Sequence, residues 1–161
     1  MKEQKFEFNY SVYDNIDELP EAEKILLQEA RAATAKSYAP YSHFNVGAVA
    51  QMENGELISG ANQENASFPI GLCAERVLLA TASSRFPEMP VDTIAISYKG
   101  EGQASDHPIS PCGLCRQSLQ EFESRMGRPI KLILGGMKGN VYVIDSASRL
   151  LPLAFTSDEL K

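Results

Sequence analysis

Apolar residues recur along the chain with two spacings, and each spacing predicts a type of element. A stripe with apolar residues three and four apart begins behind Pro20 and predicts a helix that continues to about Ser37. Alternating or unbroken apolar runs between turn residues predict strands. These strands are predicted at 44–50, 56–61, 91–97, 130–134 and 141–144, with further helices at 75–83, behind Pro111 and at 147–151.

The order of these elements indicates a fold class. The predicted order is helix, hairpin, helix, strand, helix, strand and strand, without a linker or an internal repeat. This order indicates one α/β layered domain. Asn54-Gly55 lies between two predicted strands and predicts a type I′ hairpin turn. Residues 1–18 alternate loosely, with Phe6 and Phe8 in one phase, and are predicted to form an extended arm or an edge strand. The predicted domain therefore covers residues 19–161.

Composition and charge narrow the classes of function. Hydrophobic residues make up 43% of the 161 residues and charged residues 22%, the balance of a globular protein with a core. The 15 Lys and Arg residues are scattered and are outnumbered by 21 Asp and Glu, which gives a net charge of −6. Nucleic-acid binders need clustered basic residues, so this charge favours a small ligand. Without a secretory-signal pattern or a run of about 18 apolar residues, a cytoplasmic location and no membrane partner are expected.

Three cysteines carry the first candidate chemistry. An odd number in a chain expected to be intracellular argues against a disulfide framework and favours thiolate chemistry. Cys112 and Cys115 form a C-x-x-C pair behind a proline that can begin a helix, and the free N–H groups of a helix N-terminus favour thiolates. Taken alone, this pair is also typical of a thioredoxin-like redox site.

The third cysteine favours a metal site. Cys73 also stands at a predicted helix start, well upstream of Cys112. Three thiolates give Zn²⁺ three protein ligands and leave the fourth position open for water, which is the arrangement of a catalytic site. A closed structural site would have to recruit His43 or His107 as its fourth ligand.

Glu75 supplies a proton acceptor beside these cysteines. It lies two residues after Cys73, so it can approach the open zinc position without being a ligand. The pKa of a zinc-bound water falls toward about 7, and a neighbouring carboxylate can take its proton and pass it on. The alternative interpretation is a helix-start glutamate that only complements the helix dipole.

The paired motifs resemble those of the small cytidine deaminases. The likeness is carried by Cys73-Ala74-Glu75-Arg76 and by Ser110-Pro111-Cys112-Gly113-Leu114-Cys115-Arg116-Gln117, and it extends from about residue 26 to residue 160. It implies a central mixed sheet flanked by helices and a Zn²⁺ ion held by Cys73, Cys112 and Cys115. It also implies hydrolytic deamination of cytidine and 2′-deoxycytidine in pyrimidine salvage.

The same resemblance implies roles for the residues around the metal. Glu75 would be the catalytic proton shuttle and not a ligand, as in the zinc deaminases as a class. Ala74 would contact the substrate. Arg76 would hydrogen-bond the ligand sulfurs and offset the negative charge that three thiolates give the zinc site. For Arg116, such a supporting role and an ordinary structural role both stay open.

Further segments resemble the substrate-binding parts of this family. Residues 39–48 match its A-P-Y-S-x-F-x-V-G-A segment, which implies that Phe44 packs on the pyrimidine; without the resemblance, a core phenylalanine is the plain interpretation. Asn62 and Glu64 match its N-x-E-N segment. Two positions apart on extended backbone, they project to one side and can pair with a ribose hydroxyl. Phe68 departs from the pattern, since the family commonly has tyrosine there.

The closing segment resembles the family's L-L-P-x-x-F ending, which 150–155 matches. The resemblance implies that Phe155 enters a neighbouring subunit's pocket in a homotetramer with shared active sites. The expected partners are therefore a small-molecule nucleoside and further copies of this chain. Two alternatives stay open: deamination of another aminopyrimidine nucleoside such as blasticidin S, and a zinc-stabilised binding module without catalysis.

Overall fold

Six strands form one mixed sheet at the centre of the computed structural model, which describes residues 1–161. In chain order the strands are β1 Ser11–Tyr13, β2 Phe44–Met52, β3 Leu57–Ala61, β4 Val91–Gly100, β5 Lys131–Gly135 and β6 Val141–Ile144. Across the sheet they lie in the order β1-β6-β5-β4-β2-β3. Only β4 and β5 pair in parallel, and the other four pairings are antiparallel.

Three helices cover the two faces of this sheet. They are α1 Glu21–Ala33, α2 Ala74–Arg85 and α3 Gly113–Met126. Because side chains alternate along a strand, β4 contributes to both faces. Ile94 and Ile96 belong to the core that contains Leu78 of α2, whereas Ala95 belongs to a second core with Leu27 of α1. The α/β layered domain expected from the sequence, with a central mixed sheet flanked by helices, is confirmed.

Most predicted element boundaries lie within two residues of the observed ones, and two differ by three or more. The first helix ends early, because α1 stops at Ala33 and a 3₁₀ turn, Thr34–Lys36, follows it. The Thr34 hydroxyl donates to the Arg31 carbonyl at 2.7 Å, a local bond that competes with continued α-helix. Strand β4 is longer than predicted, because residues 98–100 pair with 44–46 of β2.

The hairpin between β2 and β3 does not have the predicted type I′ turn. The Gly55 N–H donates to the Met52 carbonyl at 2.8 Å, and Gly55 has a φ of 84°. Asn54 lies outside the left-handed region, which a type I′ turn requires at both central residues. Four residues, 53–56, therefore connect β2 to β3, and Gly55 supplies the left-handed position. The Asn54 side chain accepts the Glu56 N–H at 3.0 Å instead.

Gly60 in β3 lets helix α2 lie directly on the sheet. A Cβ atom at this position would be 2.5 Å from the Ala74 carbonyl oxygen and 2.6 Å from the Leu78 backbone nitrogen. No side chain fits at these distances, so the first turns of α2 contact the backbone of the strand. This packing fixes Cys73 and Glu75, at the start of α2, relative to the sheet.

Strand β1 lies at one edge of the sheet. It pairs with β6, so a part of the predicted N-terminal arm is an edge strand. The predicted boundary between this arm and the domain, at residue 18, stays a prediction. Beside it, the rings of Tyr10 and Tyr142 pack with centroids 5.1 Å apart. The short helix predicted at 147–151 is a 3₁₀ helix, Ala147–Leu150. None of the helices has both the length and the hydrophobicity that crossing a membrane requires.

Candidate active site

Three cysteines that are distant in the chain converge on one point. Cys73 is the N-cap of α2, Cys112 is the N-cap of α3, and Cys115 lies in the first turn of α3. Neither N-cap uses its side chain to cap its helix, so both thiols are available to a metal. The Sγ atom of Cys112 lies 3.7 Å from that of Cys73 and 3.5 Å from that of Cys115.

This cluster fits a zinc ion. Its three Sγ atoms all lie within 4.8 Å of one another, and no histidine or carboxylate joins them. Zn–S bonds of about 2.3 Å in tetrahedral geometry require S···S distances of about 3.8 Å, close to those observed. The Nδ1 atom of His43 lies 3.2 Å from the Glu101 carboxylate, and that of His107 lies 3.2 Å from the Tyr98 hydroxyl. The cluster therefore offers three protein ligands, as a catalytic zinc site does.

Polar and charged neighbours favour the thiolate form of Cys73. A hydrogen bond with Cys115 lowers the pKa of Cys73 to about 6, and the positive charge of Arg76 acts in the same direction. The same hydrogen bond, together with burial, raises the pKa of Cys115. Arg76 thus favours the Cys73 thiolate through its charge, but it donates no hydrogen bond to a ligand sulfur in this structure, so the predicted bond is not observed.

Glu75 is a buried carboxyl beside the cysteine cluster. Only 5% of its surface is exposed, and it occupies the second position of α2. Burial raises the pKa of Glu75 above its ordinary value, because the charged form loses its hydration. A glutamate that served only the helix dipole could remain in solvent, so its burial favours a chemical role.

A cavity of about 600 Å³ opens onto these groups, within the size range of small-molecule sites. Its walls include every predicted substrate-contact residue except Phe155, together with Glu75 and two of the three cysteines. The lining residues are Ser42, Phe44, Val46, Asn62, Gln63, Glu64, Asn65, Phe68, Gly71, Leu72, Cys73, Ala74, Glu75, Ile109, Ser110 and Cys112. The tertiary fold therefore gathers residues from three separate segments of the chain, 42–46, 62–75 and 109–112, around one space.

Phe44 forms an aromatic part of the cavity wall. Its ring stacks on that of Tyr98, with centroids 5.0 Å apart and an angle of 25° between the ring planes. His43, directly before it, has a φ of 53°, a left-handed conformation that turns the chain into β2. A ring held in this way can receive a planar base by offset stacking.

Asn62 is partly occupied by bonds to the neighbouring strand. The Val46 N–H donates to its Oδ1 atom at 2.8 Å, and its Nδ2 group donates to the Phe44 carbonyl at 2.9 Å. The side chain thus joins the end of β3 to the start of β2. One N–H of the amide remains available to a ligand, because an asparagine amide has two.

Glu64 presents an ionised carboxylate to the same cavity. The Tyr41 N–H donates to its Oε2 atom at 2.9 Å, and the Ser42 N–H donates to the same atom at 3.3 Å. A hydrogen bond from the Ser42 side chain and these backbone bonds hold the pKa of Glu64 below its ordinary value. The carboxylate is therefore a hydrogen-bond acceptor at neutral pH, with its Oε1 atom left for a ligand.

Phe155 does not line the cavity of its own chain. It is 59% exposed, and its carbonyl accepts a hydrogen bond from Gln117 Nε2 at 2.8 Å. Arg116 donates to the carbonyls of Pro111 and Leu150 at 2.8 and 3.1 Å. Arg116 thus has a structural role: it joins α3 to the closing segment that carries Phe155.

Two residues that support the site were not predicted. Tyr98 is only 2% exposed and continues the alternation of Ile94 and Ile96 along β4, so a longer strand prediction would have placed it on the side of α2 and α3. Glu123 is buried in α3, and its Oε1 atom accepts the Ile130 N–H at 2.7 Å and the Ala147 N–H at 2.8 Å. No local pattern in the sequence indicated that Glu123 accepts these backbone N–H groups, because both donors lie outside α3.

Fold and site together define a class of enzyme. Two helices on one sheet each carry a cysteine at the N-cap, and a buried glutamate outside the ligand set lies beside the cysteine cluster. This combination is the site of a zinc-dependent hydrolytic deaminase.

Comparisons with known proteins identify the family within this class. The family described as the cytidine and deoxycytidylate deaminase zinc-binding region matches residues 20–127. The chain is 39% identical over 137 residues to the cytidine deaminase of Halalkalibacterium halodurans. This match covers 85% of this chain and 96% of that protein. It is 34% identical over 129 residues to the cytidine deaminase of Mycobacterium tuberculosis, a match that covers 78% of this chain and 92% of that protein. The crystal structure of cytidine deaminase from Burkholderia pseudomallei matches with a TM-score of 0.71 at 38% sequence identity. The match covers 81% of this chain and 97% of that one.

The chain therefore belongs to the cytidine and deoxycytidylate deaminase family. The expectations of an enzyme of the cytidine deaminase type and of Zn²⁺ as its cofactor are confirmed. The zinc interpretation of the C-x-x-C pair is thus favoured over the redox interpretation. The roles of the individual site residues stay predictions.

Proposed function

We propose that this protein catalyses the hydrolytic deamination of cytidine and 2′-deoxycytidine to uridine and 2′-deoxyuridine, with release of ammonia, as a step of pyrimidine salvage. The observation that carries the proposal is the buried Glu75 in a cavity that also contains Cys73, Cys112 and the aromatic ring of Phe44. The substrate named for the relatives in the family supports the same reaction.

Glu75 is proposed to move the protons of this reaction. Water adds to C4 of the base, the C4–N4 bond breaks and ammonia leaves. Zn²⁺ held by Cys73, Cys112 and Cys115 would supply the Lewis acidity that makes water nucleophilic near neutral pH. Glu75 takes a proton from the attacking water, delivers it to N3 of the ring and passes a second proton to the leaving amino group. Its raised pKa suits this role, since the group must both accept and release protons.

Phe44, Asn62 and Glu64 are proposed to select a nucleoside over a free base. Phe44 stacks on the pyrimidine, as its position in the cavity wall allows. The free N–H of Asn62 and the Oε1 atom of Glu64 form a donor and an acceptor for a ribose hydroxyl. A ligand without the sugar would leave both groups unpaired.

The charge of the cavity is proposed to exclude nucleotides. Its lining contains the carboxyls of Glu64 and Glu75 but no Lys, Arg or His. A phosphate group binds tightly where such cations provide charge-assisted hydrogen bonds. Cytidine monophosphate should therefore be a poor substrate.

Ammonia release from purified protein tests the proposal. Cytidine and deoxycytidine should be deaminated, whereas free cytosine and cytidine monophosphate should react with much lower kcat/KM. Comparable kcat/KM for free cytosine would contradict the role of Asn62 and Glu64. Blasticidin S, assayed in parallel, distinguishes the alternative nucleoside, and no turnover of any of these compounds by zinc-loaded protein would favour the non-catalytic module.

We also propose that the active site is shared between subunits of a homotetramer, with Phe155 of one chain completing the cavity of another. The exposure of Phe155 and its absence from the cavity of its own chain support this arrangement. Two inactive variants, Glu75→Gln and a truncation before Phe155, test it when they are co-assembled. Mixed oligomers should recover part of the activity, because some sites combine an intact Glu75 with a donated Phe155. No recovery in verified mixed oligomers, or a monomer in solution, would contradict the proposal.

A further inference from the structure

Phe44 rests on a second aromatic ring that does not reach the cavity. The rings of Phe44 and Tyr98 stack at 5.0 Å with 25° between their planes. Tyr98 is 2% exposed and is not among the residues that line the cavity, whereas Phe44 is. Tyr98 can therefore act on a bound base only through a neighbour that lines the cavity, either Phe44, on which it stacks, or Val46, its partner across β2 and β4. Of these two, only Phe44 has a ring that can stack on the base.

Tyr98 is itself held in place by His107. Its hydroxyl lies 3.2 Å from His107 Nδ1, and the two rings meet edge to face with centroids 5.7 Å apart. Burial raises the pKa of Tyr98, and the negative charge of Asp106 acts in the same direction, so the phenol is neutral at pH 7. Stacking alone would let the Tyr98 ring slide over Phe44, and the hydrogen bond to His107 holds the ring in one position.

The loop that carries His107 is anchored at two points. The Gly100 N–H donates to the Ser105 hydroxyl at 3.1 Å, and the Lys138 N–H donates to the Ser105 carbonyl at 3.3 Å. His107 also lies 3.3 Å from the Asp106 carboxylate. Because these bonds tie the loop to β4 and to the turn between β5 and β6, His107 can hold Tyr98 from a fixed position.

We propose that Tyr98 is a positioning residue that, held by His107, sets the orientation of Phe44 and thereby the affinity of the site for the pyrimidine ring. The inference rests on the proposed function, in which Phe44 receives the base. An aromatic contact to the base is present in the ground state as well as in the transition state. Loosening Phe44 therefore raises KM with a smaller change in kcat.

A double-mutant cycle on the zinc-loaded enzyme tests this inference. The single variants are Phe44→Leu and Tyr98→Leu, with cytidine KM, cytidine kcat and uridine Kd as readouts. Tyr98→Leu should raise KM and Kd about 3- to 10-fold, the effect of losing an aromatic pair. In the Phe44→Leu background the same change should have little further effect, because the ring through which it acts is gone. A purely structural loss of stability would persist in both backgrounds.

Three further variants keep the test decisive. Tyr98→Phe retains the stacked ring and should restore most of the affinity lost in Tyr98→Leu. His107→Ala removes an exposed side chain, so it should fold even if Tyr98→Leu does not, and it should raise KM about twofold or more through the looser ring. Tyr142→Leu, in an aromatic pair with Tyr10 of which neither residue lines the cavity, should leave KM unchanged. Zinc content and thermal unfolding verify each protein.

The outcomes separate the inference from the proposed function. If wild-type protein does not deaminate cytidine, the proposed function fails and the inference fails with it. If it does so but Phe44→Leu leaves KM unchanged, the role proposed for Phe44 fails, and so does the inference. If Phe44→Leu raises KM while both Tyr98→Leu and His107→Ala leave it unchanged, only the inference is overturned. Additive effects in the double variant, or an equal fall in kcat, would overturn it as well.

Discussion

The Sγ atoms of Cys73 and Cys112 lie 3.7 Å apart although 39 positions separate them in the chain. Each is the N-cap of its own helix, and the two helices lie on the same face of the sheet. The metal site therefore depends on how α2 and α3 are packed, not only on which residues they carry. This dependence leads to four predictions.

Cys112→Ala should lower the zinc content of the purified protein to a small fraction of one ion per chain. Two thiolates hold Zn²⁺ much less tightly than three, since each ligand contributes directly to binding. Elemental analysis measures the loss. His43→Ala and His107→Ala are matched controls and should retain zinc, because neither histidine joins the cluster. Full zinc content in Cys112→Ala would contradict the ligand assignment.

Glu75→Gln should keep the fold and the zinc while losing activity by about 10²–10⁴-fold or more, the usual range for a general acid–base group. Glutamine has nearly the same shape but cannot move a proton. Thermal stability should be unchanged or higher, because a neutral amide in place of a buried carboxyl has no charge to desolvate. The control is Glu56→Gln on the surface of the hairpin. Activity within a few-fold of wild type would mean that Glu75 is not the proton shuttle.

Gly60→Ala should destabilise the protein by about 1–3 kcal/mol, the range for overpacking a tight contact. The added Cβ atom would meet the Ala74 carbonyl oxygen at 2.5 Å, so α2 has to shift. Because this helix carries Cys73 and Glu75, kcat should fall as well. Urea unfolding and cytidine kinetics measure the two effects. Ser59→Ala in the same strand should change stability by less than about 0.5 kcal/mol, and a Gly60→Ala protein as stable and active as wild type would refute the packing argument.

Glu123→Ala should reduce the free energy of unfolding by about 1–3 kcal/mol, the cost of a buried N–H left without an acceptor. The Ile130 N–H loses its acceptor in this variant, whereas the Ala147 N–H also donates to the Ile130 carbonyl at 2.9 Å. The carboxylate accepts backbone N–H groups of Ile130, Ala147 and Ser148 at 2.7, 2.8 and 3.2 Å. Glu121→Ala, an exposed position on the same helix, is the control and should change stability by less than about 0.5 kcal/mol. Equal effects of the two substitutions in urea unfolding would show that these bonds add little.

The two motifs of the zinc site were recognisable in the sequence because each one is local. Cys73 and Glu75 are two positions apart at the start of one helix, and Cys112 and Cys115 are one turn apart at the start of another. Such spacings determine which side chains a helix start presents together, whatever the rest of the fold does. The strands were predictable for a similar reason, since alternation along a strand reports which face is buried.

Tertiary structure decided the features whose partners lie on other elements. The type I′ turn was wrong because the backbone conformation of Asn54 depends on the register of both strands, which the dipeptide alone does not fix. Asn62, predicted only to face the sugar, also bonds the backbone of β2.

The sequence by itself therefore indicated the candidate ligands and proton shuttle at each helix start, because these follow from residue spacing within one element, and the order of its elements indicated the layered α/β architecture. Packing decided that the two helix starts meet. Only the tertiary structure decided that Tyr98 supports Phe44 and that Glu123 joins three segments of the chain. The physical reason is that stacking and buried hydrogen bonds act over a few ångströms in space. Their partners can lie anywhere in the chain, so no spacing in the sequence records them.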